Sequence, residues 1–506
     1  MRSNLAKSII IIGAGMGGLA AGCYGQMNGY DTRIFELHTL PGGQCTAWKR
    51  KGFTFDVCIH HLFGCDPSSK IYSLWSELGA MPRDLLQPAD CTSVLSPEGK
   101  LFMDFYDPEA LRRHMNQLCP ADSEIIEEYI GAIKAFAGTD MMGEMVSGSP
   151  WALAKTVLSK PSILKWLKPT MRQFADRFSD PFMKRAFSLL VYSTPDILMF
   201  VHLARHAYGL EKVVQWPVGG ALEFSRSIEK RYLELGGTVL YRRRVEKILV
   251  EGDKAVGVKL ADGSEHRADI VISDADGRKT IMDMLEGRYL DERIRGICAE
   301  PDDETMMGVH VFLGVDRDLS KEPSAMIMLL DKPEMIADHL CESLEMQIYG
   351  FDKTLAPEGK GVIKVELFSG YSFWKRLHAD KAAYEAAKNN VAEQVIGLLD
   401  KRFPGIANQV EVVDVPTLMT WERYMGGTHG WANMPRKKAA FLSIILGKNA
   451  ETTLPGLSDF YFVGAWSTMT GALFSNAASG KKAIRMICRK EGKKFRNQTP
   501  SGKLPI

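Results

Sequence analysis

Near the start of the chain, SIIII at residues 8–12 runs straight into GAGMGG at residues 13–18. A short continuous apolar run is the mark of a strand buried on both faces. The glycines after it follow the spacing G-x-G-x-x-G, and LAAGCYGQMNGY then reads as a helix. Gly13 permits a tight turn, Gly15 and Gly17, flanking Met16, let backbone amides approach a pyrophosphate, and Gly18 lets helix and strand pack closely. The helix N-terminus adds partial positive charge for the phosphates. A second strand, TRIFE, ends at Glu36, about 20 residues on, where a carboxylate accepts ribose hydroxyls and repels a 2′-phosphate. Strand, glycine turn, helix, strand and terminal acid together define a dinucleotide-binding α/β unit.

At 506 residues the chain exceeds one ordinary core, so two or three domains are expected. A net charge of +2 and the lack of a Lys/Arg run give no pull toward nucleic acid. The nine cysteines show no CxxC spacing, which points to a reducing compartment and no structural zinc. The N-terminus superficially resembles a signal peptide, but its glycine spacing is better explained by nucleotide binding. No run of about 18 apolar residues is present to span a membrane. The expected location is cytoplasmic, with peripheral contact to a membrane surface considered below.

After Glu36 the chain reaches Gly42-Gly43, then Gln44. Here it resembles the two-dinucleotide-binding-domain flavoproteins, whose extended motif runs on to Gly-Gly-Arg; Gln44 stands where that family usually has arginine. Residues 216–276 continue the resemblance: a helix, a strand after Gly236-Gly237, a hairpin around residues 261–263 and the strand ADIVIS. In such flavoproteins the strand holding Val245 passes the adenine. Residues 454–490 resemble the closing motif, with strand YFVG, a small-residue helix, and Gly464 and Gly471-Ala472-Leu473 approaching pyrophosphate, ribityl chain and flavin. The resemblance implies FAD. No second G-x-G-x-x-G follows a strand, so electrons are expected to pass through a substrate or a separate donor or acceptor.

Within that superfamily the chain is most similar to the phytoene desaturase-like branch of carotenoid desaturases, carotenoid isomerases and retinol saturases. The stretches KTLAPEGKGVIKVELFS and ERYMGGTHGW carry this likeness beyond the FAD motifs. The branch has a Gly-x-x-Phe-Asp-x-Gly segment leading to the substrate face of the flavin. Gly52, Phe55 and Asp56 match it, while Cys58 replaces the last glycine. His60 falls where saturase-like members carry histidine, which implies proton handling near the ring. On an extended segment His60 and His61 would point opposite ways, leaving one to pack or meet solvent, and such neighbours do not converge on a metal. His429, in a glycine-rich turn, is a second catalytic candidate. Cys45 reads as a buried thiol and Trp466 as either a flavin neighbour or core.

Residues 141–172 alternate apolar residues, among them Trp151 and Trp166, with Lys155, Lys160, Lys165 and Lys168. Prolines cut the stretch into short helices. It suits either a membrane-interface patch admitting a lipid-soluble substrate or a helical cap packed on its own domain. The fold class is thus α/β, a Rossmann-like FAD-binding domain (residues 1–75, 211–285 and 450–490) interleaved with a mixed α+β substrate domain (76–210 and 286–449), followed by a loose tail (491–506). The implied chemistry is hydride transfer between flavin N5 and a carbon–carbon bond of a hydrophobic, isoprenoid or polyene substrate, as saturase, desaturase or isomerase. The alternatives are an amine-oxidase-like enzyme, which would release hydrogen peroxide and an aldehyde, and a non-catalytic flavin-binding lipid carrier.

Overall fold

The computed structural model describes residues 6–88, 90–147, 155, 158–298, 306–427, 452–468 and 471–500. The apolar run forms strand Ser8–Ile12, which lies at the centre of a five-stranded sheet. Its neighbours are Asp31–Phe35 on one side and Ile270–Ser273 on the other, and Thr238–Leu240 and Phe460–Phe462 complete the edges. All four pairings are parallel. Strands from three distant parts of the sequence thus assemble one sheet. Ile9 and Ile11 join one buried cluster and Ile10 and Ile12 another, which is why the run has no polar face.

Helix Met16–Met27 follows the glycine turn and is buried along most of its length. The final helix, Leu473–Lys490, lies against it. A Cβ placed on Gly480 would sit 2.5 Å from the Gly17 carbonyl oxygen and 2.6 Å from the Ala21 nitrogen. The small-residue face expected there is therefore a close helix–helix contact. Part of the tail beyond it, residues 495–498, contacts the body of the protein. Arg496 N donates to Asn28 Oδ1 at 2.7 Å, Arg231 donates to the Gln498 carbonyl at 3.3 Å, and the Phe495 and Tyr24 rings lie 5.9 Å apart. One aromatic anchor and several polar contacts fix a segment that composition alone marks as disordered.

A seven-stranded sheet forms the second layer system. Its order is Val410–Asp414, Met306–Val315, Gly361–Ser369, His339–Ile348, Ala325–Ile336, Asp90–Leu95, Leu101–Phe105. The pairings are antiparallel except between Ala325–Ile336 and Asp90–Leu95. Helices from residues 108–210 bury a separate apolar cluster against one side of this sheet. Residues 161–167 form a 3-10 helix within that cap rather than an α-helix. Ile163 and Trp166 point into the cluster, whereas Leu158 and Leu164 are exposed. No described helix is long and apolar enough to cross a membrane.

Candidate active site

The glycine turn comes first because its backbone shape creates the site. Gly13 has φ +97°, a left-handed value that a side chain resists, and its N–H donates to the Phe35 carbonyl at 2.8 Å. The Gly42-Gly43 loop folds directly onto this turn. Gly42 N donates to the Ala14 carbonyl at 2.8 Å, and a Cβ on Gly43 would lie 3.4 Å from Gly15 Cα. Gly42 also has φ +102°. Gln44 follows, with its carbonyl accepting from Thr46 N at 2.9 Å.

Glu36 stands just past the end of its strand and is buried. Its Oε2 accepts Ala14 N at 2.6 Å and its Oε1 accepts His38 N at 2.7 Å. Burial raises its pKa above the ordinary carboxylate value. Each oxygen retains a second lone pair for a ribose hydroxyl. The segment before Val245 runs alongside, with Arg243 N donating to the Glu36 carbonyl at 2.9 Å, and Val245 itself is buried beside Ile10 and Phe35.

Gly464 ends the closing strand, and its N–H donates to Ser479 Oγ at 2.7 Å. Ala472 caps the final helix, Leu473 opens it and packs against the main core, and Gly471 is exposed. Trp466 packs over Gly277 and lies 5.9 Å from Phe462, so it is a core residue of the nucleotide domain. Cys45 is buried, with burial pushing its thiol pKa well up, as expected of a packed thiol.

These pieces converge on one acidic side chain absent from the sequence-based site. Asp274, directly after strand Ile270–Ser273, accepts Gly18 N at 2.7 Å. A Cβ on Gly15 would lie 2.5 Å from its Oδ2, and one on Gly17 2.6 Å from its Oδ1; one on Gly464 would overlap the same carboxylate. The helix N-terminus therefore already holds a carboxyl group, whose charged form its amides and dipole favour and its burial opposes. The amides, the close-approach glycines and the ribose carboxylate fit a dinucleotide, with Asp274 beside the helix N-terminus that would hold its phosphates.

A small cleft lies against the seven-stranded sheet. His60, His61, Tyr192, Arg205, Glu345 and Gln347 are among its lining residues. Residues 57–61 belong to no strand, since Phe53–Asp56 ends before them and Leu62–Phe63 begins after. The expected opposite orientation of the two histidines therefore does not hold, and both border the same cleft. Asp56 serves the fold, because its Oδ2 accepts Ala221 N at 2.5 Å at the start of helix Gly220–Glu234. His429 lies outside the described residues.

His60 Nε2 stands 3.1 Å from Glu366 Oε1 and 3.2 Å from Lys364 Nζ. Lys364 and Glu366 themselves pair at 2.8 Å and are almost fully buried. They project from the same face of strand Gly361–Ser369, two residues apart. Cross-strand register places His310 opposite Glu366 on one side and Glu345 opposite it on the other. The result is a polar row across an otherwise apolar sheet. Burial lowers the pKa of His60, with Lys364 adding to the effect and Glu366 opposing it. Glu366 is held well below the carboxylate range because His60 and Lys364 together outweigh its burial. Burial and the nearby Glu366 charge push Glu345 up to about 8. Lys364 and Glu366 were missed from sequence. Their signal is two charges of equal parity inside the apolar strand GVIKVELFS.

Fold and cradle together define a Rossmann-like α/β protein with a dinucleotide-binding half. A family model described as NAD(P)-binding Rossmann-like domain matches residues 11–78. Among curated proteins, the chain is 25% identical to a prolycopene isomerase of Daucus carota, over 83% of this chain and 71% of that one. It is 29% identical to a lycopene-forming phytoene desaturase of a Paracoccus strain, over 56% of this chain and 57% of that one. It is 23% identical to the all-trans-retinol 13,14-reductase of Danio rerio, over 92% and 84%. In fold it is similar to a putative protoporphyrinogen oxidase of Exiguobacterium, with TM-score 0.57, 14% identity and coverage of 96% and 99%. These relatives bear out the resemblance to the phytoene desaturase-like enzymes and the expectation of an oxidoreductase.

Proposed function

We propose that the chain is an FAD-dependent oxidoreductase acting on a carbon–carbon bond of a hydrophobic, polyene-type substrate, with His60 as the residue that handles the substrate proton. The observation that carries this is the position of His60 Nε2 between the Lys364 ammonium and the Glu366 carboxylate at the edge of the cleft. FAD bound at the glycine cradle supplies the hydride chemistry. The chain supplies the rest. Gly13, Gly15, Met16, Gly17 and Gly18 would present backbone to the pyrophosphate, Glu36 would hold the ribose, and the 42–44 and 471–473 segments would serve the flavin end.

His60 rests neutral at pH 7 because burial disfavours its charged form. A neutral imidazole accepts a proton from substrate in desaturation. In saturation the same ring, once protonated, gives its proton to the substrate carbon, with Glu366 stabilising the imidazolium. The cationic and anionic neighbours thus let one histidine serve either direction.

Anaerobic mixing tests this. Reduced protein is mixed with retinol, and oxidised protein with phytoene, while flavin and polyene absorbance are followed. Reoxidation of the flavin as polyene absorbance falls identifies a saturase; bleaching as longer chromophores appear identifies a desaturase. Release of peroxide and aldehyde from an amine, with no reaction of either polyene, would overturn the proposal.

A further inference from the structure

The cleft beside His60 is not lined as a pocket for a pure hydrocarbon. Arg205, on helix Met199–Leu210, is only 4% exposed yet borders the cleft. Its Nη2 donates to the Leu190 carbonyl at 2.9 Å, and its Nε has no hydrogen-bond partner. The guanidinium sits 5.8 Å from the Tyr192 ring centre. Among the described residues no carboxylate forms an ion pair with it. Asp104 accepts the Tyr129 hydroxyl at 3.1 Å, and its charge acts on Arg205 without forming an ion pair with it. Glu345, the acid that shares the cleft, accepts Ser193 Oγ at 3.0 Å and titrates only near 8. Glu366 is paired with Lys364. A buried guanidinium stays charged, and burying its Nε without a hydrogen-bond partner is costly.

We propose that Arg205 anchors a carboxylate at one end of the substrate, so that the substrate is a long unsaturated carboxylic acid rather than a hydrocarbon. This rests on the cleft being the substrate site of the flavoenzyme proposed above. Arginine presents a planar fork that matches a carboxylate with paired hydrogen bonds, and a water-poor cleft strengthens each of them. Tyr192, which faces both Arg205 and His60, sets the ring wall between head group and reacting bond; the His60 and Tyr192 ring centres are 5.4 Å apart. The neutral form of Glu345 adds a hydroxyl donor without repelling the anion.

The test compares three ligands of one carbon skeleton on the holoprotein, all-trans-retinoate, retinol and methyl retinoate, by the change each causes in the flavin absorbance at equilibrium. The expected result is retinoate bound at least about tenfold more tightly than its alcohol and ester, with the preference lost in Arg205→Gln and partly kept in Arg205→Lys. Equal affinity for acid, alcohol and ester on the unmodified protein overturns the proposal whether or not the variants fold. The two proposals fail separately. Tight, Arg205-dependent binding of retinoate with no redox change of either the oxidised or the reduced flavin sinks the carbon–carbon chemistry and leaves the acid anchor standing. Redox turnover of retinol or phytoene at a KM that Arg205→Gln does not alter sinks the anchor and leaves the chemistry standing.

Discussion

Asp274 Oδ2 accepts the Gly18 backbone N–H at 2.7 Å, which places a buried carboxylate at the helix N-terminus where a cofactor phosphate belongs. Burial pushes this carboxyl up to about 7, the Glu36 charge pushing the same way and the Gly18 and Gly17 amides opposing it. The protonated acid tolerates a neighbouring pyrophosphate; the anion repels it. Affinity of the apoprotein for FAD should therefore fall by up to about tenfold per pH unit above 7. Asp274→Asn should bind FAD more tightly at pH 8 and lose that slope. Fluorescence quenching of FAD on titration with apoprotein checks this, and an equal pH slope in the variant would refute it. Stability follows the same sign. Because the folded pKa is raised, this group's stabilisation is complete below the unfolded carboxyl value and is lost as pH rises through about 7.

The closest approach between the first and last helices gives a second expectation. A methyl group on Gly480 would meet backbone, the Gly17 carbonyl oxygen and the Ala21 nitrogen, which cannot swing aside. Gly480→Ala should cost about 1–3 kcal/mol and lower the bound flavin content by shifting the glycine cradle. Gly131→Ala is the control, since nothing lies within 4 Å of a Cβ there and its helix conformation suits alanine. That control should stabilise by roughly 0.5–1 kcal/mol. Chemical denaturation and the flavin-to-protein absorbance ratio read both, and a Gly480→Ala protein as stable and as yellow as its parent would contradict the packing account.

The nucleotide half was legible in the sequence because its signals are local. The run Ile9–Ile12, the glycine spacing and Glu36 lie within 30 residues, and each reports backbone geometry directly. The small-residue face of the last helix was legible for the same reason. The polar cleft was not, because its members come from residues 60, 205 and 345 and meet only through the packing of a loop and a helix on the sheet. Asp274 was missed because a carboxylate at a helix N-terminus reads as an ordinary strand end until Gly464 and Gly17 are seen to close around it. Strand alternation fails for the two histidines because the chain leaves its extended path between residues 57 and 61. In the tail, Phe495 is too isolated a signal to mark docking.

The buried pair Lys364–Glu366 should behave as a unit. Lys364→Met removes the cation beside the buried Glu366 carboxylate, leaving it only the His60 ring at 3.1 Å, and should destabilise by about 3–5 kcal/mol. The double variant Lys364→Met/Glu366→Leu removes both charges and should recover most of that loss, because two desolvated ions are replaced by apolar volume. A double-mutant cycle from urea denaturation gives the coupling. Additive losses would mean that the 2.8 Å contact carries no mutual dependence.

The last expectation concerns His60. His60→Gln should keep the flavin, whose cradle it does not touch, but slow the step that moves the substrate proton by about 10²–10⁴-fold. The pH profile discriminates further. Burial holds the His60 pKa below the ordinary 6.5, so a ring that must be neutral to accept a proton is ready throughout pH 7–8. The desaturation rate of the parent should therefore be level across that range and fall only on the acid side of the ordinary imidazole value. In His60→Gln that acid limb should vanish, since the titrating group is gone. Rapid-mixing measurements of flavin reduction between pH 5 and 8, made on both proteins, report the chemical step apart from product release. An unchanged acid limb in the variant would assign the proton to another group, and His61, which borders the same cleft, is the next to replace.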